Sequence, residues 1–123
     1  MGQVVIGAVA LHSFVLGLLM FYCPQWLLWH LGWDYAGPWF FPHQAGIFLV
    51  ILSWAYFAGV WRTEFAWFLV ASKTTAVVFL LAECAAGAPP VLLVAAIFYG
   101  LMGAAVAIVI AWRIRAQRGG VAE

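Results

Sequence analysis

The chain has 123 residues, and nine of them, 7%, are Asp, Glu, Lys or Arg. A soluble domain carries about 25%. With 68% hydrophobic residues, too few charges remain to cover a water-facing surface. This excludes a soluble globule, a disordered chain, a nucleic-acid binder and a secreted disulfide scaffold. An integral membrane protein remains.

A helix crosses the bilayer core with about 20 apolar residues. Four stretches fit, at 4–22, 43–61, 65–86 and 90–112. The runs 46–52 and 91–97 do not alternate polar and apolar residues, which argues against a transmembrane barrel. The first span has no Lys or Arg before its apolar run and no small-x-small site after it. It is expected to be retained rather than cleaved as a signal peptide.

Residues 23–42 follow. Pro24 and Gly32 bracket an apolar stretch with Trp26, Trp29 and Trp33 at helical spacing. A short helix is expected here, lying in the headgroup layer as an aromatic anchor. The same segment also suits a lid over a ligand pocket. Trp61, Trp67 and Trp112 form the expected inner aromatic belt.

Arg62 lies between spans two and three, and Arg113, Arg115 and Arg118 follow span four. The other two loops hold no Lys or Arg. By the positive-inside rule both termini are expected in the cytoplasm. The short connections predict that spans two and three, and spans three and four, are antiparallel neighbours.

Close packing must hold helices together in lipid. Span four carries two small-residue rows, Ala96, Gly100, Ala104 and Gly103, Ala107, Ala111. They suit packing within one subunit or against a second chain. Cys23 and Cys84 fall at the outer ends of spans one and three. They are expected as small buried side chains, or as a disulfide if they come within about 7 Å.

Lys73 is the sharpest signal. It lies about eight residues, roughly 12 Å, into span three. A charged Lys at that depth is costly, so it needs partners inside the bundle or loses its proton. His12, Ser53, Tyr56 and Tyr99 stand at similar depth. Glu83 is ten residues on, roughly 15 Å up the axis on the same broad face, too far for a direct ion pair. His43, Gln44 and His30 lie near the Glu83 level. Two readings follow. One is an outward-opening polar pocket for a quinone-like or anionic head group, or for proton relay, with Lys73 at its base and Glu83 and His43 at its mouth. The other is a structural cluster that fixes helix register.

Ala8 precedes His12 by one helical turn. That spacing would let a chlorophyll, bacteriochlorophyll or haem macrocycle lie on the helix with its metal on the imidazole. A bundle histidine satisfied by one or two partners is the plainer reading. No HExxH, GxSxG, phosphate-binding Gly loop or carboxylate cluster occurs, so no catalytic or metal site is expected.

Leu16-Gly17-Leu18 followed by Pro24 and Leu31-Gly32, Gln44-Ala45-Gly46-Ile47-Phe48 opening span two, the 56–62 ending and Lys73 in span three together resemble the small four-span DoxX-like bacterial membrane proteins. The resemblance covers most of the chain. It implies a four-helix membrane bundle, and some members resemble quinone-linked oxidoreductase subunits. Many members have Asp-Gly in span four, where this chain has Tyr99-Gly100.

The expected architecture is an all-α integral membrane four-helix bundle, one domain over 1–123, in a bacterial inner membrane. The expected role is a non-catalytic subunit that packs into or stabilises a larger complex. Its partners are membrane lipids and other subunits or a second copy. Ala96, Gly100, Gly103, Ala104 and Ala107 are the candidate partner face. A quinone, lipid or pigment site around Lys73, and a small transporter subunit, are the competing readings.

Overall fold

The computed structural model describes residues 2–120. These form five helices: α1 (Gly2–Tyr22), α2 (Pro24–His30), α3 (Phe40–Ala58), α4 (Thr63–Ala85) and α5 (Val91–Arg118). Every one of them except α2 is long and apolar enough to cross a membrane. Span two begins and ends three residues earlier than expected, and span four runs six residues further. Arg113, Arg115 and Arg118 are therefore helical. Basic side chains at a helix C-terminus interact favourably with its dipole, which helps α5 extend beyond its apolar stretch.

Prolines and glycines set the breaks. Pro24 stands in the first turn of α2, where its missing N–H costs no hydrogen bond. Gly32, at φ +74°, ends α2. The Gly32 N–H donates to the Trp29 carbonyl, and the Trp33 N–H to the Leu28 carbonyl. Gly87, at φ +98°, ends α4 in the same way. There the Gly87 N–H donates to Cys84 and the Ala88 N–H to Glu83. Both are the Schellman turn, which strongly favours a residue without Cβ at this position. α2 buries Leu27 and Leu28 and leaves Trp26 and Trp29 exposed, with Trp33 half-buried just beyond it.

The short turns make α3 and α4, and α4 and α5, neighbours as expected, but one further pairing is stronger than the first of these. α3 packs chiefly on α1, across the long 23–39 connection, and only lightly on α4. The reason is a glycine-on-glycine crossing. A Cβ at Gly46 would stand 2.6 Å from the Phe21 nitrogen and 2.7 Å from the Gly17 carbonyl oxygen. A Cβ at Gly17 would stand 2.8 Å from the Gly46 oxygen. Only bare backbones allow that approach, and close approach is what lipid-embedded helices pack by. α4 and α5 pair closely, as their short turn predicts. The bundle is thus two helical hairpins, α1/α3 and α4/α5, with light contact between them.

The two hairpins meet along one stripe from each helix. Ile6, Val9, Ala10, Tyr56, Ala66, Leu69, Val106, Val109 and Ile110 form one buried cluster toward the termini. Beyond Lys73, no α4 residue is fully buried. Gly103 faces the Lys73 Cβ, and Gly100 faces Val77. The small-residue rows of α5 therefore serve packing within the chain at these two glycines and at buried Ala96, while Ala107 is half-buried. Ala104 and Ala111 are exposed. Cys23 and Cys84 are both free.

The glycine crossing predicts a sharp contrast. Gly46→Val should destabilise the protein by about 3 kcal/mol, the upper end of the usual cost of overpacking. Gly100→Ala, whose new Cβ would sit 3.8 Å from Val77, should leave stability nearly unchanged. Thermal unfolding in mild detergent reads both; equal melting temperatures for the two variants would contradict the crossing.

Candidate functional site: a lysine between two hairpins

α4 begins at Thr63, so Lys73 is near its midpoint, about 15 Å from the start. Its side chain is 3% exposed and points into the bundle. The Nζ donates to the Ser13 hydroxyl at 3.1 Å. It also lies 4.4 Å from the centre of the Tyr99 ring and 5.4 Å from that of Tyr56. Both are within the range where an ammonium gains from an aromatic face, about 2 kcal/mol each when desolvated.

The partners come from both hairpins. Lys73 and Tyr99 belong to α4/α5; Ser13 and Tyr56 belong to α1/α3. The ammonium therefore sits on the seam. A second polar tie crosses the same seam at the terminal end. There Arg113 of α5 donates from Nη1 to the Gly59 carbonyl at 3.0 Å and from Nη2 to the Val60 carbonyl at 2.7 Å. These carbonyls close the C-terminus of α3, where a cation is favoured. Beside Lys73, the Tyr56 side chain of α3 and the Ser72 side chain of α4 also meet across the seam.

The remaining expected site residues are placed as follows. Tyr56 and Tyr99 join Lys73. His12 touches Tyr99 edge-on, with ring centres 6.3 Å apart, at the edge of the seam, where the residue is exposed. Glu83 and His43 are exposed, and His43 packs against the Phe21 ring at 5.9 Å. Neither reaches Lys73. His30 turns back on its own helix, its Nδ1 2.8 Å from the Trp26 carbonyl. The Ser53 hydroxyl donates to the Val50 carbonyl at 2.6 Å. The Lys73 cluster thus includes no Asp or Glu among the described residues.

Ser13 is the residue that sequence reasoning missed as the acceptor. Ile6, Ala10, Ser13 and Gly17 recur at steps of four, three and four and are all buried. That stripe marks the inward face of α1. His12, one residue or about 100° away, is turned outward by the same periodicity.

An apolar groove of about 450 Å³ runs along α1 between Ala8 and Leu19, with His12 on its floor. Lys73 and Tyr56 line none of the main surface cavities. Comparison with known families, curated proteins and solved structures returns no match.

The hydrogen bond across the seam predicts coupling. Ser13→Ala should cost about 1–2 kcal/mol, because the ammonium loses its only hydrogen-bond acceptor. In a Lys73→Met background the same change should cost close to nothing. A double-mutant cycle read by unfolding in detergent tests this; additive effects would contradict the contact.

Proposed function

We propose that the chain is a non-catalytic subunit of a larger assembly in a bacterial inner membrane, and that it docks through the outer face of α1. The observation that carries this reading is His12. Its imidazole lies midway along a membrane-spanning helix, on the exposed side, and makes no hydrogen bond among the described residues. A polar group facing acyl chains is costly, so a second surface is expected to cover it. Lys73 supports the same reading. Its contacts are with its own chain, which suits a register-fixing cluster better than an open pocket.

The four arginines at the end that holds both termini favour a cytoplasmic location for that end. Exposed Trp26 and Trp29 over buried Leu27 and Leu28 favour α2 as an interfacial anchor on the opposite side. The resemblance to DoxX-like proteins fits a small membrane bundle of this kind.

A second reading rests on the groove beside His12. Its lining of Ala8, Leu11, Val15, Leu16 and Leu19 suits a flat apolar ring system. A haem or chlorophyll-type pigment with its metal on His12 would fill it.

Photo-crosslinking in native membranes tests the docking face. A crosslinker at Val15, which lines the groove, should capture one other membrane chain in fixed ratio. One at Ile51, on the exposed side of α3, should capture lipid. Capture of lipid at both positions would overturn the subunit reading, and capture of a second copy alone would replace it with a homodimer. A Soret or far-red absorption band in the extract would instead assign the groove to a pigment.

A further inference from the structure

A cavity lies away from Lys73, at the terminal end of the bundle. It measures about 490 Å³. The first turn of α1, the turn after α3, the start of α4 and the late turns of α5 enclose it. Its polar lining is rich in donors: Gln3, Thr63, Arg113 and Gln117, with Trp61 and Trp112 alongside. Among the described residues, no Asp or Glu lines it. Arg113 is held in place by the Gly59 and Val60 carbonyls. Two of its five N–H groups are used there, which leaves three for a ligand.

The surrounding charge has one sign. Arg62, Arg115 and Arg118 stand at the same end. Glu64, a carboxylate at this end, is engaged by Arg62, whose Nε donates to it at 2.7 Å. Val60 and Val109 form the apolar side of the cavity. Trp61 and Trp112 are both exposed, as expected of side chains at the headgroup level.

We infer that this cavity binds the phosphate headgroup of an anionic phospholipid. Arg113 and the Thr63 and Gln117 side chains hold the phosphate, and the acyl chains leave over the exposed Trp61 and Trp112 rings at the rim. The chemistry follows from the lining. A donor-rich hollow with a pre-positioned guanidinium selects an acceptor-rich anion. Its place at the end of apolar helices supplies that anion on a lipid. Basic pockets between membrane helices recognise headgroups in this way. The inference is independent of what covers His12.

Native mass spectrometry of the detergent-solubilised full chain tests it, with phosphatidylglycerol, phosphatidylcholine and inorganic phosphate as probes. Phosphatidylglycerol should bind at least fivefold more tightly than phosphatidylcholine. Thr63→Val combined with Gln117→Leu should lower phosphatidylglycerol affinity about fivefold and leave phosphatidylcholine unchanged. This pair spares the Arg113 clasp, so the variant keeps its α3 closure. Arg113→Gln should remove the preference altogether, with the unfolding temperature measured alongside. Equal retention of the two lipids, or an unchanged preference in the double variant, would overturn the site. Displacement of the lipid by millimolar inorganic phosphate would overturn its assignment to a lipid.

Discussion

An ammonium placed midway through a membrane must be solvated by protein, and the rest of this structure is arranged around that requirement. Water and headgroups are roughly two helical turns or more beyond the end of the Lys73 stem. The chain meets the need with one hydroxyl and two aromatic faces rather than with a carboxylate. Because Ser13 and Tyr56 lie on one hairpin and Lys73 and Tyr99 on the other, solvating the charge also docks the hairpins. The interaction is directional. Sliding α4 by one residue would turn the side chain about 100° out of the seam. Apolar packing in lipid has no such preference, since acyl tails and leucine side chains are equally apolar neighbours. A single polar tie therefore contributes register that the surrounding Val, Ile and Leu contacts do not specify.

The two polar ties divide the seam between them. Arg113 acts near the water boundary and closes the end of α3 as it reaches across. Lys73 acts at depth and limits the tightly buried core, which lies between it and the termini. The far half of the bundle is held differently, by the Gly17–Gly46 crossing within one hairpin and by the turns that end α2 and α4. This gives the molecule a closed terminal half and a more loosely joined outer half. The outer half also carries the aromatic α2 segment.

Much of the fold was legible in the sequence because membrane helices are set by length and apolarity. The four spans, the short helix after Pro24 and the inward direction of Lys73 follow from local composition. The helix partners do not. Loop length made spans two and three neighbours, which they are, but it gave no sign that α3 packs chiefly on α1, where Gly46 and Gly17 let two backbones meet. A glycine signals only the possibility of close approach, and its partner is a property of three dimensions. The site was half-readable for a related reason. Tyr56 and Tyr99 could be placed by depth alone. His12 and Ser13 share a depth but point about 100° apart, so that Ser13 is buried and His12 sits at the exposed edge of the seam. Only the buried stripe through Ala10, Ser13 and Gly17 tells them apart. Glu83 and His43 share the polar character expected of the Lys73 site but not its location, because no α4 residue beyond Lys73 is fully enclosed.

Magic-angle-spinning NMR of the protein in lipid bilayers addresses the central claim most directly. With lysine Nζ labelled by ¹⁵N and serine and tyrosine labelled by ¹³C, the Lys73 nitrogen should show through-space correlations to Ser13 Cβ and to the Tyr99 ring carbons. Correlations to acyl-chain protons or bulk water in place of these would mean that the lysine is not what joins the two hairpins.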